Sequence, residues 1–183
     1  MNFERQNIEE IILCEPKVFD DDRGYFSESF KHDSFSNFLN REINFRQENE
    51  SVSHKNVFRG LHFQKNPLPQ ARLVRVVKGS IIDIAVDIRP FSKTYCQCVS
   101  IELNDKNRKQ LFIPHGFAHG FLSLENDTKV IYKVDNYYEP DLDAGVNYKD
   151  PKFKLDIDQN NLIISEKDLN LPFLDELKEN GDI

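Results

Sequence analysis

The chain has 183 residues, a formal net charge of -7 and a hydrophobic fraction of 39% that includes 15 Phe. This length suits one domain with a substantial core, and the apolar content excludes a disordered chain. The negative charge argues against a nucleic-acid partner, although a few local arginines could still hold a single diphosphate.

The first ten residues are acidic and lack the apolar segment of a secretory signal. No apolar run reaches the roughly 20 residues that span a bilayer. These features predict a soluble, cytoplasmic protein with no membrane partner. The three cysteines, Cys14, Cys96 and Cys98, are too few for a disulfide framework, so we interpret them as small buried side chains. Cys96 and Cys98 are expected to share one face of a strand.

Short strands are predicted to dominate the middle of the chain. After a short helix expected over residues 33–40, an alternating pattern predicts a strand over residues 72–77, a turn, and a second strand over residues 80–89. In the second strand, apolar and charged side chains are expected on opposite faces: Ile82, Ile84, Val86 and Ile88 on one, Asp83, Asp87 and Arg89 on the other. Further strands are predicted over residues 96–103, 110–113, 120–124 and 129–135.

Helix signals are confined to a few places. Ser165 has the chemistry of a helix N-cap, with Asp168 at the third helical position. The acidic residues 175–183 are expected to form a surface helix or a frayed tail. Many short strands separated by turns indicate an all-β sandwich or barrel with a few peripheral helices.

Several motifs combine residues that can carry out chemistry. In chain order they are Asp22-Arg23-Gly-Tyr-Phe26-Ser-Glu28, Gln47-Glu-Asn49, Arg59-Gly-Leu-His62-Phe-Gln64 with Gln70-Ala-Arg72, Ile113-Pro-His-Gly-Phe-Ala-His119-Gly-Phe121, Tyr132-Lys-Val-Asp-Asn-Tyr-Tyr138 and Ser165-Glu-Lys-Asp168. Together they closely resemble the dTDP-4-dehydrorhamnose 3,5-epimerase family, and the resemblance runs from about residue 10 to residue 173. It implies a cupin-type β-barrel (jelly roll) that fills residues 1–183, with an acidic tail over residues 174–183. It also implies a homodimer whose N-terminal strands cross to the partner's sheet.

The family's reaction inverts C3 and C5 of a nucleotide-linked 4-keto-6-deoxy sugar, converting dTDP-4-keto-6-deoxyglucose to dTDP-4-keto-L-rhamnose. The ketone at C4 acidifies both neighbouring C–H bonds, so the enzyme needs a base, a cation near O4 and an acid on the opposite face. The resemblance implies His62 as the base, with Asp168 as its carboxylate partner. It implies Arg72, where many relatives carry Lys, as the cation and Tyr132 as the acid.

Each of these residues also has a purely structural interpretation. His62 could be a satisfied core histidine, and Asp168 a helix-capping carboxylate. Arg72 could be a solvated strand residue, and Tyr132 a barrel tyrosine bonded to a neighbour. The resemblance further implies substrate contacts, with Arg23 and Arg59 on the diphosphate, His119 near the sugar and Tyr138 against the sugar or nucleotide. The other implied contact residues are Phe26, Glu28, Gln47 and Asn49.

Three alternatives remain open at the level of sequence. Metal-binding cupins carry a His-x-His pair where this chain has His62-Phe63-Gln64, so we predict an enzyme without metal or cofactor rather than a metal-dependent oxygenase or isomerase. The substrate could instead be a GDP-linked 4-keto heptose of capsule biosynthesis, inverted at C3, C5 or both. A sugar-binding cupin without activity is the third alternative.

Overall fold

The computed structural model of the protein describes residues 1–158 and 160–183. Over these residues the strands are β1 Asn2–Arg5, β2 Ile12–Glu15, β3 Val18–Asp21, β4 Gly24–Ser27, β5 Gln47–Ser53, β6 Phe58–Gln64, β7 Arg72–Lys78, β8 Ser80–Asp87, β9 Cys98–Asn104, β10 Gln110–Ile113, β11 Phe117–Ser123, β12 Thr128–Val134 and β13 Asp143–Gly145. The helices are α1 His32–Leu39, α2 Glu166–Leu169 and α3 Leu174–Glu179, with a 3-10 turn at Pro140–Leu142. None of these helices has the length and hydropathy that a bilayer crossing requires.

Two antiparallel sheets form the body of the molecule. The larger sheet has the strand order β1-β2-β10-β7-β12-β5, and the smaller one has the order β13-β6-β11-β8-β9. A separate hairpin, β3–β4, stands outside both sheets. The crossovers between strands that are distant in sequence, together with the nearly pure β content, confirm the predicted all-β, cupin-type fold.

Alternating side chains from both sheets build the core between them. Val74 and Val76 of β7 meet Ala85 of β8 and Phe121 of β11 in one buried cluster. Complete burial of one large aliphatic or aromatic side chain stabilises a protein by about 1.5–3 kcal/mol. This shared interior holds the two sheets face to face, so inward side chains of β6 and β12 come from opposite walls.

Strand β8 shows the predicted division into two faces, and both faces are buried. Ile84, Val86 and Ile88 pack with the C-terminal residues Leu174 and Leu177 on the outer side of the smaller sheet. The opposite face carries Ile81 and Ala85 into the interior between the sheets, and the completely buried Asp83 and Asp87 alternate with them along the strand. Asp87 is hydrogen-bonded to Thr94, and Asp83 is hydrogen-bonded through Oδ1 to His119, whereas its Oδ2 has no partner among the described residues.

Two expectations from the sequence need correction. Cys96 lies before β9 in a left-handed conformation (φ 65°), so it does not share a strand face with Cys98. Only Cys14 is fully buried, and the other two cysteines are partly exposed. Within residues 175–183, the expected helix is present as far as Glu179, and α3 buries Leu174 and Leu177.

Candidate active site

Two glycines allow β6 and β11 to approach each other closely. A Cβ on Gly60, whose φ is +116°, would lie 2.7 Å from the carbonyl oxygen of His119. A Cβ on Gly120 would lie 2.6 Å from the carbonyl oxygen of Arg59. Side chains at both positions are therefore excluded, and the two strands meet with His62 and His119 as direct partners in the ladder. The two imidazoles are thus placed side by side in the smaller sheet.

His62 and Asp168 form a hydrogen-bonded pair. The Nε2 atom of His62 lies 2.8 Å from Oδ1 of Asp168, and the other carboxylate oxygen accepts the Gly60 N–H at 3.0 Å. The hydroxyl of Ser165 accepts the N–H of Asp168 at 3.1 Å, which confirms Ser165 as the N-cap of α2. The cap therefore comes from Ser165, and the Asp168 carboxylate reaches out of the helix to β6.

The electrostatics of this pair suit a base. Burial of Asp168 acts to raise its pKa, but the hydrogen bonds from His62 and Gly60 outweigh that effect and hold the pKa below its usual value. An ionised carboxylate on Nε2 fixes the imidazole tautomer with the proton on Nε2, which leaves Nδ1 to accept a proton. The His62 side chain is 28% exposed, so a ligand can reach it.

Arg72 ends a buried chain of hydrogen bonds. Its Nη1 donates to Nδ1 of His119 at 3.0 Å, and Nε2 of His119 donates to Oδ1 of Asp83 at 2.7 Å. Burial lowers the pKa of His119, although Asp83 opposes this, so the imidazole is neutral. Burial also lowers the pKa of Arg72. These hydrogen bonds fix the Arg72 guanidinium in one orientation. Its Cζ atom lies 6.0 Å from the ring centre of Tyr132.

Two cavities meet at these residues. One, of about 300 Å³, extends towards Gln47, Asn49 and Tyr138, and the other, of about 330 Å³, extends towards Arg59 and His119. The lining residues that they share are His62, Arg72, Tyr132 and Lys167. The structure thus brings all four predicted catalytic groups, Asp168 included, to one place.

The predicted contact residues of β5 and β6 lie at the walls of these cavities. Gln47 donates to Oδ1 of Asn49 at 2.8 Å and accepts the Tyr138 N–H at 3.0 Å. Arg59 is held by Oγ of Ser53 at 3.0 Å and the Val52 carbonyl at 3.1 Å. These bonds preorganise polar groups around the space that a ligand would occupy.

Sequence reasoning missed several polar residues of the site. The hydroxyl of Tyr138 donates to Oδ2 of Asp143 at 3.2 Å, and Nζ of Lys167 binds the same carboxylate oxygen. Lys167 lies next to Asp168 in the motif Ser165-Glu-Lys-Asp168, so its position in the sequence could have indicated a place in the site. No motif in the sequence indicated Asp143, because its contacts with Tyr138 and Lys167 form only in the folded protein. Asp83 was assigned to a strand face but not to the site.

Three of the predicted contact residues lie elsewhere. Arg23, Phe26 and Glu28 belong to the β3–β4 hairpin or follow it directly, and they line neither cavity. The Arg23 side chain is 89% exposed and pairs with Asp21, and Phe26 is 69% exposed. Within one chain, the structure therefore does not bring this group to His62.

A metal cluster is not found among residues 1–158 and 160–183. At the position of the second histidine of metal-binding cupins, the Gln64 amide is instead bonded to backbone groups of Tyr137 and Glu139. Independence from metal stays a prediction, with a chelation experiment as its test.

A histidine–carboxylate pair, a phenol and a partly buried cation around two adjoining cavities define a proton-transfer enzyme built on a cupin-type barrel. The sequence profile of dTDP-4-dehydrorhamnose 3,5-epimerase matches residues 5–176. The chain is 46% identical to the dTDP-4-dehydrorhamnose 3,5-epimerase of Escherichia coli K12 over 97% of this chain and 96% of that protein. The chain belongs to the dTDP-4-dehydrorhamnose 3,5-epimerase family.

Further similarities agree with this assignment. The chain is 45% identical to the enzyme of the same name from Methanothermobacter thermautotrophicus, over 92% of this chain and 91% of that protein. Among solved structures, it is similar to the dTDP-6-deoxy-D-glucose-3,5-epimerase of Legionella pneumophila in complex with dTDP-4-keto-L-rhamnose. The TM-score is 0.93 at 37% identity, and the match covers 98% of this chain and 95% of that one. The resemblance seen in the motifs is confirmed.

Proposed function

We propose that this protein epimerises C3 and C5 of dTDP-4-keto-6-deoxyglucose and releases dTDP-4-keto-L-rhamnose. One observation carries the proposal. His62 on β6 and Tyr132 on β12 belong to opposite sheets, and both line the same space together with Arg72. A sugar ring bound there has a base on one face and an acid on the other, as inversion at carbon requires.

Proton removal is the first step. Nδ1 of His62 takes the proton from the carbon next to the ketone, and Asp168 stabilises the imidazolium that results. The C–H electron pair becomes the new C=C bond, and the carbonyl π electrons move to O4. The fixed guanidinium of Arg72 stabilises the negative oxygen, because a preorganised cation at a developing charge lowers the barrier.

Proton return from the other face completes the inversion. The Tyr132 hydroxyl gives its proton to the enolate carbon, and the carbonyl at C4 re-forms. The resulting phenolate lies close to the Arg72 cation, which stabilises it. His62 then loses its proton and Tyr132 regains one, both by exchange with water, so the reaction needs no oxidant, reductant or cofactor.

The relatives favour a dTDP-linked substrate over a GDP-linked heptose. Both curated relatives described above are named for dTDP-4-dehydrorhamnose, and the Legionella complex holds a dTDP sugar. A sugar-binding cupin without activity is disfavoured, because the base and the acid are both present.

Within this proposal, Arg59 and Arg23 bind the diphosphate, and Tyr138 packs against the nucleotide or sugar. His119, Gln47, Asn49, Phe26 and Glu28 complete the substrate contacts. The position of Arg23 on a hairpin outside the pocket leads us to propose a homodimer, in which the β3–β4 hairpin of each subunit reaches the partner's cavity. A cytoplasmic location belongs to the same proposal.

Proton NMR in heavy water tests the activity directly. Incubation of dTDP-4-keto-6-deoxyglucose with the enzyme should place deuterium at C3 and C5. His62→Asn should abolish exchange at both carbons, whereas Tyr132→Phe should retain exchange and lose inversion, because the base remains. Absence of label from both dTDP- and GDP-linked 4-keto sugars would reject the proposed function. Label only in a GDP-linked heptose would move the assignment to that substrate.

A further inference from the structure

The side chain of Gln64 holds the rim of the active-site cavity. It is 5% exposed and lies at the end of β6, two residues after His62. Its Oε1 accepts the Glu139 N–H at 2.9 Å, and its Nε2 donates to the Tyr137 carbonyl at 3.0 Å and to the Leu68 carbonyl. One buried amide thus joins the loop that follows β6 to the segment that follows β12.

Side chains make most of the hydrogen bonds to the backbone of residues 137–139, beside one backbone bond from Leu142 N–H to the Glu139 carbonyl at 3.0 Å. This segment belongs to no strand or helix, so no ladder fixes its position. Gln64 binds the residues on either side of Tyr138, and Gln47 from the opposite sheet accepts the N–H of Tyr138 itself. Two glutamines from facing sheets therefore hold three consecutive residues across the mouth of the cavity.

The hydroxyl end of Tyr138 is held by the strand that pairs with β6. The backbone of Asp143 in β13 pairs with that of Gln64, and the Asp143 carboxylate accepts the Tyr138 hydroxyl at 3.2 Å. The Tyr138 side chain is half exposed and lines the cavity, so a free ring would have many orientations. Fixing both ends of the residue restricts the ring to one position before a ligand arrives, and preorganisation of this kind strengthens binding.

We propose that Gln64 is a positioning residue for substrate binding, which acts by holding Tyr138 as one wall of the cavity. It touches none of the reacting groups, so it contributes to the affinity for the nucleotide sugar and not to proton transfer. The inference rests on the proposed function for the identity of the ligand. The amide contacts themselves are independent of that identity.

Steady-state kinetics of two variants test this role. Gln64→Met keeps the length of the side chain and removes all of its amide hydrogen bonds. We expect KM for dTDP-4-keto-6-deoxyglucose to rise about tenfold while kcat stays within about twofold, because the binding-competent position of Tyr138 becomes a minor one. Gln64→Glu keeps an oxygen to accept the Glu139 N–H but places its other oxygen against the Tyr137 and Leu68 carbonyls, so it should also raise KM. An unchanged KM in Gln64→Met, or a loss confined to kcat, overturns the proposal.

Ser123→Ala is the matched control. It removes another buried side-chain bond to a backbone carbonyl, from Oγ of Ser123 to Glu125 at 2.9 Å, and Ser123 lines neither active-site cavity. This variant should lose thermal stability without a change in KM. If it raises KM as much as Gln64→Met does, Gln64 has only a structural role.

Amide hydrogen exchange separates this inference from the proposed function. In Gln64→Met, the Glu139 N–H loses its acceptor and should exchange faster than in the wild type, while amides of β8 keep their protection. This readout needs no substrate. If the wild type fails to turn over any dTDP sugar, the proposed function is rejected. The positioning role of Gln64 is still tested by hydrogen exchange, because unchanged protection of the Glu139 N–H in Gln64→Met rejects it.

Discussion

Two neighbouring histidines receive opposite roles from their hydrogen-bond partners. His119 has both ring nitrogens occupied, one by Arg72 and one by Asp83, and it is almost completely buried. His62 has a carboxylate on Nε2 and is partly open to the cavity. Of the two, His62 is therefore the imidazole available to exchange a proton with a ligand. His119 also fixes the Arg72 guanidinium, in addition to the substrate contact proposed above.

Asp168→Asn tests the importance of the carboxylate partner. An Asn oxygen can still accept the Gly60 N–H, but it cannot neutralise an imidazolium on His62. We expect kcat to fall by about 100-fold or more, within the range of general acid–base effects, with a smaller change in stability. Coupled turnover assays and thermal unfolding measure the two quantities.

Asp150→Asn is the control for that change. Asp150 is also a buried carboxylate, and it accepts the N–H groups of Lys152 and Leu174 away from the cavities. Its replacement should lower stability and leave kcat unaltered. Wild-type activity in Asp168→Asn would return Asp168 to a structural role.

At the scale of elements, the connection from β8 to β9 is organised by one carboxylate. Asp87 is completely buried and accepts hydrogen bonds from the backbone and side chain of Arg89 and from the hydroxyls of Ser92 and Thr94. Burial acts to raise the pKa of Asp87, and these hydrogen bonds outweigh it and leave the pKa below its usual value. The ionised form is thus favoured by folding.

This pKa shift predicts acid sensitivity. Because the folded pKa of Asp87 lies below the unfolded value near 3.8, its contribution to stability is complete above that value and is lost as pH falls through the folded pKa. Urea unfolding from pH 6 down to about pH 3 should show a smaller loss of unfolding free energy in Asp87→Asn than in the wild type. Parallel pH profiles for the two proteins would contradict the assignment.

Elements with local signals were predicted well from the sequence. The alternating residues of β7 and β8 and the Ser165 cap depend on neighbours within a few positions, so a linear pattern reveals them. The contacts of Asp83 and Gln64 depend on partners that lie 36 and 75 residues away. Such contacts follow from the pairing of the sheets, which no local pattern specifies, and the site was therefore only partly predictable.

At the scale of the whole molecule, the two sheets divide the chemistry between them. The smaller sheet supplies His62 and His119, and the larger one supplies Arg72 and Tyr132. The predicted site residues of the β3–β4 hairpin belong to neither sheet, and their exposure motivates the homodimer proposed above.

Mixing of subunits tests that arrangement. His62→Asn inactivates the cavity of its own subunit, and Arg23→Ala removes the diphosphate contact that the hairpin provides. Each variant should therefore have low activity as a homodimer. If the hairpin serves the partner's cavity, a mixed dimer contains one cavity with both His62 and Arg23 intact. Mixing after mild dissociation should then restore up to about half of the activity per heterodimer. A monomer by light scattering, or the absence of any recovery, would contradict the proposal.

The pairing of His62 with Asp168 has a consequence for how the enzyme is made. The two residues are 106 positions apart, so at about 5–20 residues per second the ribosome adds Asp168 roughly 5–20 s after His62. Near the end of that interval, the nascent chain contains Arg72, His119 and Tyr132 but still lacks the carboxylate that pairs with the proposed base. We therefore expect catalytic activity to begin only after α2 has been synthesised and has docked against β6. Turnover, measured on stalled nascent chains of increasing length, would report the arrival of that helix.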